Sequence, residues 1–190
     1  DITTSARPEQ VKALFRRTID TGIQHGTVTV MLDKEGFEVT TYRVAGKYED
    51  SRHPREVTFT PNLEEDLKRR DLTINAIAMK GNQLIDPYGG VEDIKAKCFR
   101  HVSEAFSEDP VRILRVARFA ARFKEFSVAE STMQLMTNMV NSGEADSLVG
   151  ERIFKEMRRA LMANAPERFI QTLQACGCWQ RLFAEVPINP

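Results

Sequence analysis

Thr27-Val28-Thr29-Val30-Met31-Leu32-Asp33-Lys34-Glu35-Gly36-Phe37-Glu38-Val39-Thr40-Thr41-Tyr42 is the stretch that decides the fold class. Thr27 to Leu32 alternates and is rich in β-branched residues, the pattern of a half-buried strand. Lys34-Glu35-Gly36 reads as a turn, and Phe37 to Tyr42 as the returning strand of a hairpin. Strand periodicity puts Glu38 and Thr40 on one face, opposite Phe37, Val39 and Thr41.

Outward from this hairpin the chain changes texture. Upstream, Pro8 to Phe15 has a helical pattern, with proline tolerated in the first turn. Downstream, Arg43 to Thr60 is polar and contains Gly46 and Pro54, which reads as a long loop. Leu63 to Arg70 reads as a helix with Asn62 as its N-cap. Thr73 to Met79 stays apolar and is read as helix too. Leu84-Ile85 is a short strand candidate before Asp86-Pro87-Tyr88-Gly89-Gly90, the strongest turn signal in the chain. From about Ser103 strand signals almost vanish. Ser107 is placed to cap a helix opening at Glu108-Asp109-Pro110 and running to about Lys124. Further helical segments are read at Ala129 to Asn141, Glu151 to Ala163 and Pro166 to Ala175. The residues therefore describe an α/β head followed by an all-helical extension.

Composition bounds the function classes. The chain has 190 residues, 42% of them hydrophobic and 28% charged, an ordinary globular balance. Its 27 basic residues equal its 27 acidic ones, which argues against a general basic coat but not against a local basic groove. No apolar run is long enough to cross a membrane. Cys98, Cys176 and Cys178 form no disulfide framework and no zinc pattern, so they read as ordinary thiols in a reducing compartment.

Two polar constellations stand out. Leu67-Lys68-Arg69-Arg70-Asp71-Leu72-Thr73-Ile74-Asn75-Ala76 could be a solvated helix end. It could instead be a clamp in which arginine forks hold phosphate while Asp and Asn bond sugar hydroxyls. In Glu108-Asp109-Pro110-Val111-Arg112-Ile113-Leu114-Arg115-Val116-Ala117-Arg118, helical geometry keeps Arg112, Arg115, Arg118 and Arg122 within roughly 120° of one another. No run of acids at helical spacing neutralises that stripe. It is either a solvated face or a phosphate-binding one, and an Asp–Arg pair at its head can meet a base edge with both acceptor and donor. Asp1 and Glu38 are isolated carboxylates whose spacing alone makes no metal site. His25, His53 and His101 read as structural or surface residues, and Arg152, Lys155, Arg158 and Arg159 as a candidate basic patch or a solvated face.

Three blocks carry a resemblance: Leu63 to Ala78, Asp86 to Gly90, and Glu108 to Phe119. In order and spacing they resemble the signature blocks of bacterial class II CCA-adding enzymes, the CCA tRNA nucleotidyltransferases of the nucleotidyltransferase and poly(A) polymerase superfamily. The resemblance implies an α+β fold. Residues 1–100 would form a small nucleotidyltransferase-type head with a mainly antiparallel sheet and helices, its N-terminal part missing. Residues 101–190 would form an all-α neck and the start of an RNA-binding body. It implies that Asp1 is the second carboxylate of an Asp-x-Asp pair and a metal ligand, with the first carboxylate and a glycine block lying upstream. Glu38 matches the third acidic residue of the active-site strand. Arg70, Asp71 and Asn75 match the block that handles triphosphate and ribose, and Asp86 to Gly90 a hinge-like turn. Asp109 and Arg112 match the pair that reads the Watson–Crick edge of the nucleotide, and Arg115 and Arg118 further nucleotide-contacting positions. The loop with Tyr48-Glu49-Asp50 and Arg52-His53-Pro54 resembles the flexible loop of members that add A.

The function this implies is metal-dependent, template-independent addition of C and A to the 3′ end of tRNA, with Mg²⁺ as cofactor and CTP, ATP and tRNA as partners, in the cytoplasm. Bacterial poly(A) polymerase shares the same blocks and is the alternative within the class. A non-catalytic tRNA- or nucleotide-binding fragment is the alternative from another class.

Overall fold

A computed structural model describes residues 1–44 and 57–185. The expected loop residues Tyr48, Glu49, Asp50, Arg52, His53 and Pro54 lie outside the described residues. The chain forms two compact units, Asp1–Arg69 and Arg70–Pro190.

The first unit is built on the hairpin. Strands β1 (Ile2–Thr4), β2 (Thr18–Gly22), β3 (Thr27–Leu32) and β4 (Glu35–Thr41) form one sheet in the order β1-β4-β3-β2. The β2–β3 and β3–β4 pairs are antiparallel and β1–β4 is parallel, so the sheet is mainly antiparallel as expected. The turn lies earlier than Lys34-Glu35-Gly36. Leu32 pairs with Glu35, leaving Asp33 and Lys34 as a two-residue loop with φ of 45° and 77°. Two successive positive φ values match the right-handed twist of the flanking strands, which is why such tight hairpins adopt them. Gly36 is consequently a strand residue opposite Met31. Helix α1 (Pro8–Leu14) buries Val11, which joins Val28, Val30 and Val39 in a small core on one face of the sheet. Beyond β4 the chain continues to pair, through an isolated bridge between Arg43 and Phe59. Helix α2 (Leu63–Lys68) starts as expected, with Asn62 Oδ1 accepting from the Glu64 N–H at 2.9 Å.

The second unit opens with Thr73–Asn75, a single 3₁₀ turn, and not with the helix read over Thr73 to Met79. Ala78–Lys80 is strand β5, paired antiparallel with β6 (Gln83–Ile85). The Asp86–Gly90 turn is present: Gly89 has φ 73°, and Asp86 accepts from the N–H groups of Gly90 and Val91 at 2.7 and 2.9 Å. These bonds satisfy the first orphan donors of helix α3 (Gly90–Lys95). Gly90 is sterically required, because a Cβ there would stand 2.2 Å from the Thr73 carbonyl oxygen.

Short parallel strands β7 (Cys98–Phe99) and β8 (Ser127–Val128) pair with each other. The remainder is helical: α4 (Val111–Arg122), α5 (Glu130–Asn141), α6 (Gly150–Leu161), α7 (Glu167–Ala175) and α8 (Cys178–Leu182). Ser107 does not cap α4; its hydroxyl donates to the Glu104 carbonyl within a preceding 3₁₀ helix, Glu104–Glu108. Asp109 takes the capping role, accepting from the Val111 N–H at 3.1 Å. Helix α4 is the centre of the unit and packs on α6 and α7. Its Ile113, Leu114, Val116, Ala117, Ala120 and Ala121 are fully buried, and the alanines permit close helix approach. Leu72 and Phe99 belong to this same helical core. That is why compactness divides the chain at Arg69/Arg70, ahead of the division expected after residue 100.

Candidate functional site

In the first unit, sheet register gathers the carboxylates. The parallel β1–β4 ladder pairs Ile2 with Val39 and Thr3 with Thr40. One step back along both chains, Asp1 therefore stands beside Glu38, at corresponding positions of neighbouring strands. Val39 is buried in the small core, so alternation turns Glu38, and with it Asp1, toward the opposite face. Both are exposed. That face is otherwise lined by threonines: Thr29 is paired with Glu38, and Thr27 and Thr40 hydroxyls lie 2.9 Å apart. Thr3 Oγ1 is buried and has no hydrogen-bond partner among the described residues.

These residues fit a divalent cation. Carboxylates are the hard oxygen donors such ions prefer, and a magnesium-type site commonly takes one or two of them and completes its shell with water and substrate phosphate. Among the described residues no three His, Cys, Asp or Glu side chains gather.

In the second unit, Asp71 is the hub. It is 6% exposed. One carboxylate oxygen accepts from the Leu72 N–H at 2.7 Å and from Asn75 Nδ2 at 3.0 Å. The other accepts from Arg115 Nε at 2.7 Å. Burial pushes the Asp71 carboxyl up, but the Arg115 charge and the hydrogen bonds from Asn75, Arg115 and Leu72 outweigh it and hold the group below the usual carboxylate range. Arg70 donates to the Asn75 carbonyl at 3.3 Å, closing a loop of contacts through Arg70, Asp71, Asn75 and Arg115.

The lowered acidity fixes the sign of a pH effect. A depressed carboxyl contributes stability above its unfolded value, about pH 4, and loses it as pH falls through the folded value. Asp71→Asn should therefore cost on the order of 1–3 kcal/mol near neutrality, and the gap to the parent should shrink below about pH 4. Denaturant unfolding at several pH values measures it; a gap constant down to pH 2 would contradict the assignment.

Two arginines of the α4 stripe, Arg115 and Arg118, have partners that lie far away in sequence. Arg118 Nε meets Glu156 Oε2 on α6 at 2.6 Å, with side chains only 12% and 7% exposed, and its guanidinium lies 4.4 Å from the Phe119 ring centre. Arg112 donates to the Ala105 carbonyl. Asp109 accepts from Arg152 Nη2 at 2.7 Å as well as capping α4. Of the residues expected to contact nucleotide, Arg70, Asp71, Asn75 and Arg115 are thus one connected group. Asp109 and Arg112 share the N-terminal end of α4, and Arg118 sits in a buried ion pair. Arg152, read with the basic patch, belongs with Asp109.

Several supporting residues carried no sequence signal. Thr73 starts the turn that bears Asn75; its hydroxyl donates to buried Asp93 at 2.7 Å, and its N–H to the Arg100 carbonyl at 2.9 Å. Arg100 Nε in turn reaches Asp93 at 3.2 Å. Only the Gly-Gly dipeptide hinted at this close approach. His101 is structural as expected, with Nδ1 2.7 Å from Thr132 Oγ1 and a pKa lowered chiefly by burial. Cys176 and Cys178 are buried and free. Among the described residues no helix is long and apolar enough to cross a membrane.

Comparison with known proteins places this arrangement. Residues 1–100 match the sequence model of the poly A polymerase head domain, and residues 125–188 that of the probable RNA and SrmB-binding site of polymerase A. The multifunctional CCA protein of Methylobacillus flagellatus is 61% identical over 125 residues, covering 65% of this chain and 30% of that protein. The Bacillus stearothermophilus CCA-adding enzyme, in a crystal structure with CTP, superposes with a TM-score of 0.82 at 39% identity, covering 93% of this chain and 42% of that one. The Thermotoga maritima CCA-adding enzyme complexed with tRNA gives 0.73 at 28% identity, covering 96% and 42%. The chain thus spans about a third of the length of its curated relative. With the head-domain match covering more than half of its residues, and an α+β architecture to agree with it, this chain belongs to the poly A polymerase head domain family of nucleotidyltransferases.

Proposed function

We propose that the chain is the core of an enzyme that adds C and A to the 3′ end of tRNA from CTP and ATP, working in the cytoplasm with Mg²⁺. One observation carries the reading: the parallel register that sets Asp1 beside Glu38 on a polar, threonine-lined face. The likeness to CCA-adding enzymes solved with CTP and with tRNA supplies the substrates. Residues 1–100 act as catalytic head and residues 101–190 as neck and start of the RNA-binding body.

In the reaction the tRNA 3′-hydroxyl oxygen forms a bond to the α-phosphorus of the nucleotide. The bond from that phosphorus to the bridging oxygen breaks, pyrophosphate leaves with its electron pair, and the hydroxyl proton is lost to solvent. Asp1 would hold the Mg²⁺, which when bound would supply charge neutralisation for the phosphates. Glu38 would orient the cation or the attacking hydroxyl. Arg70, Asp71 and Asn75, locked together with Arg115, present a preorganised surface to triphosphate and ribose, so little ordering is needed on binding. Asp109 and Arg112 offer acceptor and donor to the base edge, which suits C and A but mismatches G and U. Arg118 contributes further along the same helix.

The test is nucleotide choice in the intact gene product. Asp109→Ala with Arg112→Ala should lower the preference for CTP and ATP over UTP and GTP by about 10- to 100-fold, since a two-point base contact is worth ~1–3 kcal/mol. Unchanged selectivity would sink the assignment. The head-domain match to poly A polymerase favours one other reading. Supplying tRNA that lacks its CCA end, and separately unstructured RNA with ATP, separates the two: short C-C-A additions support the proposal, long A tails the alternative.

A further inference from the structure

We propose that Asp93 is a positioning residue for nucleotide recognition: through Thr73 it fixes the place from which Asn75 meets the ribose of the incoming nucleotide. The inference rests on the ribose reading of Asn75 given above and extends it to a residue that acts only through another. Asp93 lies on α3 and is 8% exposed, and Thr73 is 2% exposed. A carboxylate withdrawn from water is unfavourable unless its oxygens are bonded, so its partners show what the burial serves. One Asp93 oxygen accepts from the Thr73 hydroxyl at 2.7 Å, and Arg100 Nε reaches both oxygens at 3.2 Å. The Arg100 backbone carbonyl accepts from the Thr73 N–H at 2.9 Å. Thr73 is therefore gripped at its hydroxyl and its N–H by the two members of one ion pair. Helix α3 also seats against the Thr73 carbonyl, where Gly90 leaves no room for a Cβ.

Thr73 begins the single 3₁₀ turn that ends at Asn75. The Ala76 N–H donates to the Thr73 carbonyl at 3.0 Å, and the Asn75 N–H to the Leu72 carbonyl at 2.9 Å. One such turn does not hold itself, because its hydrogen bonds are few and poorly aligned. Its order comes from Asp93 and Arg100. At its far end Asn75 Nδ2 donates to Asp71 at 3.0 Å, and the Asn75 carbonyl accepts from Arg70 at 3.3 Å. Any shift of Thr73 thus moves the group that meets sugar and phosphate. Stability alone does not call for a charge at position 93, since buried ion pairs gain little over apolar packing of the same volume. Directional bonds define one place for the turn, and a misplacement of ~1 Å behind a site is enough to cost about 100-fold in rate.

The test uses the intact gene product with tRNA lacking its CCA end, and compares CTP with dCTP. Thr73→Val keeps the shape and removes the hydroxyl. It should raise KM for CTP about 10-fold, change kcat less, and lower the preference for CTP over dCTP about 10-fold, the worth of one hydrogen bond. Thr73→Ser should restore both. Asp93→Asn should act in the same direction as Thr73→Val, because the amide turns a donor toward Arg100. The Arg100 side chain is 47% exposed and can turn to water, so that variant strands no charge and should fold. Selective ¹⁵N-asparagine labelling gives a readout without turnover: the Asn75 side-chain amide signal, identified by its loss in Asn75→Ala, should move in Thr73→Val and Asp93→Asn and return in Thr73→Ser. A lower melting temperature with the amide signal and the CTP preference both at parental values makes Asp93 merely structural and overturns the proposal. If Asn75→Ala itself leaves the CTP preference unchanged, the ribose reading fails and this inference falls with it. If Asn75→Ala removes that preference while Thr73→Val and Asp93→Asn keep it, only the role of Asp93 is lost.

Discussion

Glu38→Ala in the intact gene product should lower CMP incorporation by a factor on the order of 10³ or more, with the melting temperature unchanged. The size follows from what phosphoryl transfer asks of a protein. There is little covalent chemistry for side chains to perform, so nearly all the acceleration comes from positioning and from offsetting charge at the phosphate. Removing one preorganised electrostatic group typically costs 10²–10³ in rate, and a carboxylate that orients cation or hydroxyl does both jobs. The unchanged stability follows from the fold: Glu38 is exposed, and its neighbours Val39 and Val28 keep the small core on the other side of the sheet. Glu38→Gln preserves shape and removes charge, so it should be nearly as inactive. Single-turnover incorporation of labelled CMP, alongside thermal unfolding, measures both quantities. Activity within a few-fold of the parent would remove Glu38 from the active centre.

The second large effect is on stability. Arg118 and Glu156 tie α4 to α6 inside the helical unit, both nearly shielded from solvent. Two charges withdrawn from water gain little over an apolar pair, but a lone one left behind is severely unfavourable. Glu156→Ala should therefore destabilise the protein by about 3–5 kcal/mol, stranding Arg118 against the face of Phe119. Replacing both partners, as Arg118→Met with Glu156→Leu, should recover most of the loss. Urea unfolding of the three variants provides the comparison. If the double variant is as unstable as Glu156→Ala alone, the cost is one of packing and not of an uncompensated charge. The pair also bears on the proposed role of Arg118 in nucleotide contact. Its Nε is engaged by Glu156, so what it offers a ligand is the remainder of the guanidinium.

The hairpin was legible because Thr27 to Thr41 repeats a period of two that no helix can satisfy, and because β-branched residues suit a pleated surface. Helices α1, α2, α4, α5, α6 and α7 were legible for the complementary reason, and Asn62 marked its helix start by side-chain chemistry alone. Thr73 to Met79 misled. A short apolar run has no period long enough to separate helix from strand, and here Ala78–Lys80 is drawn into a hairpin by its partner Gln83–Ile85. Strand β2, Thr18–Gly22, is a mostly exposed sheet edge whose polar residues carry no alternation to detect. Helices α3 and α8 are too short to show a repeat.

Local chemistry along the chain was enough to determine a mixed α/β head, a helical remainder and the turn at Asp86–Gly90, because each depends on residues a few positions apart, whereas the candidate carboxylates and arginines were singled out by the family resemblance. Pairing across distance was decided only by tertiary structure. Arg115 meets Asp71 and Arg118 meets Glu156 across dozens of residues, so two arginines of a stripe that looked unneutralised at helical spacing are neutralised through space. Likewise nothing in the spacing of Asp1 and Glu38 joins them; the register of a parallel strand pair does, since hydrogen bonds between backbones, not sequence distance, set which side chains become neighbours.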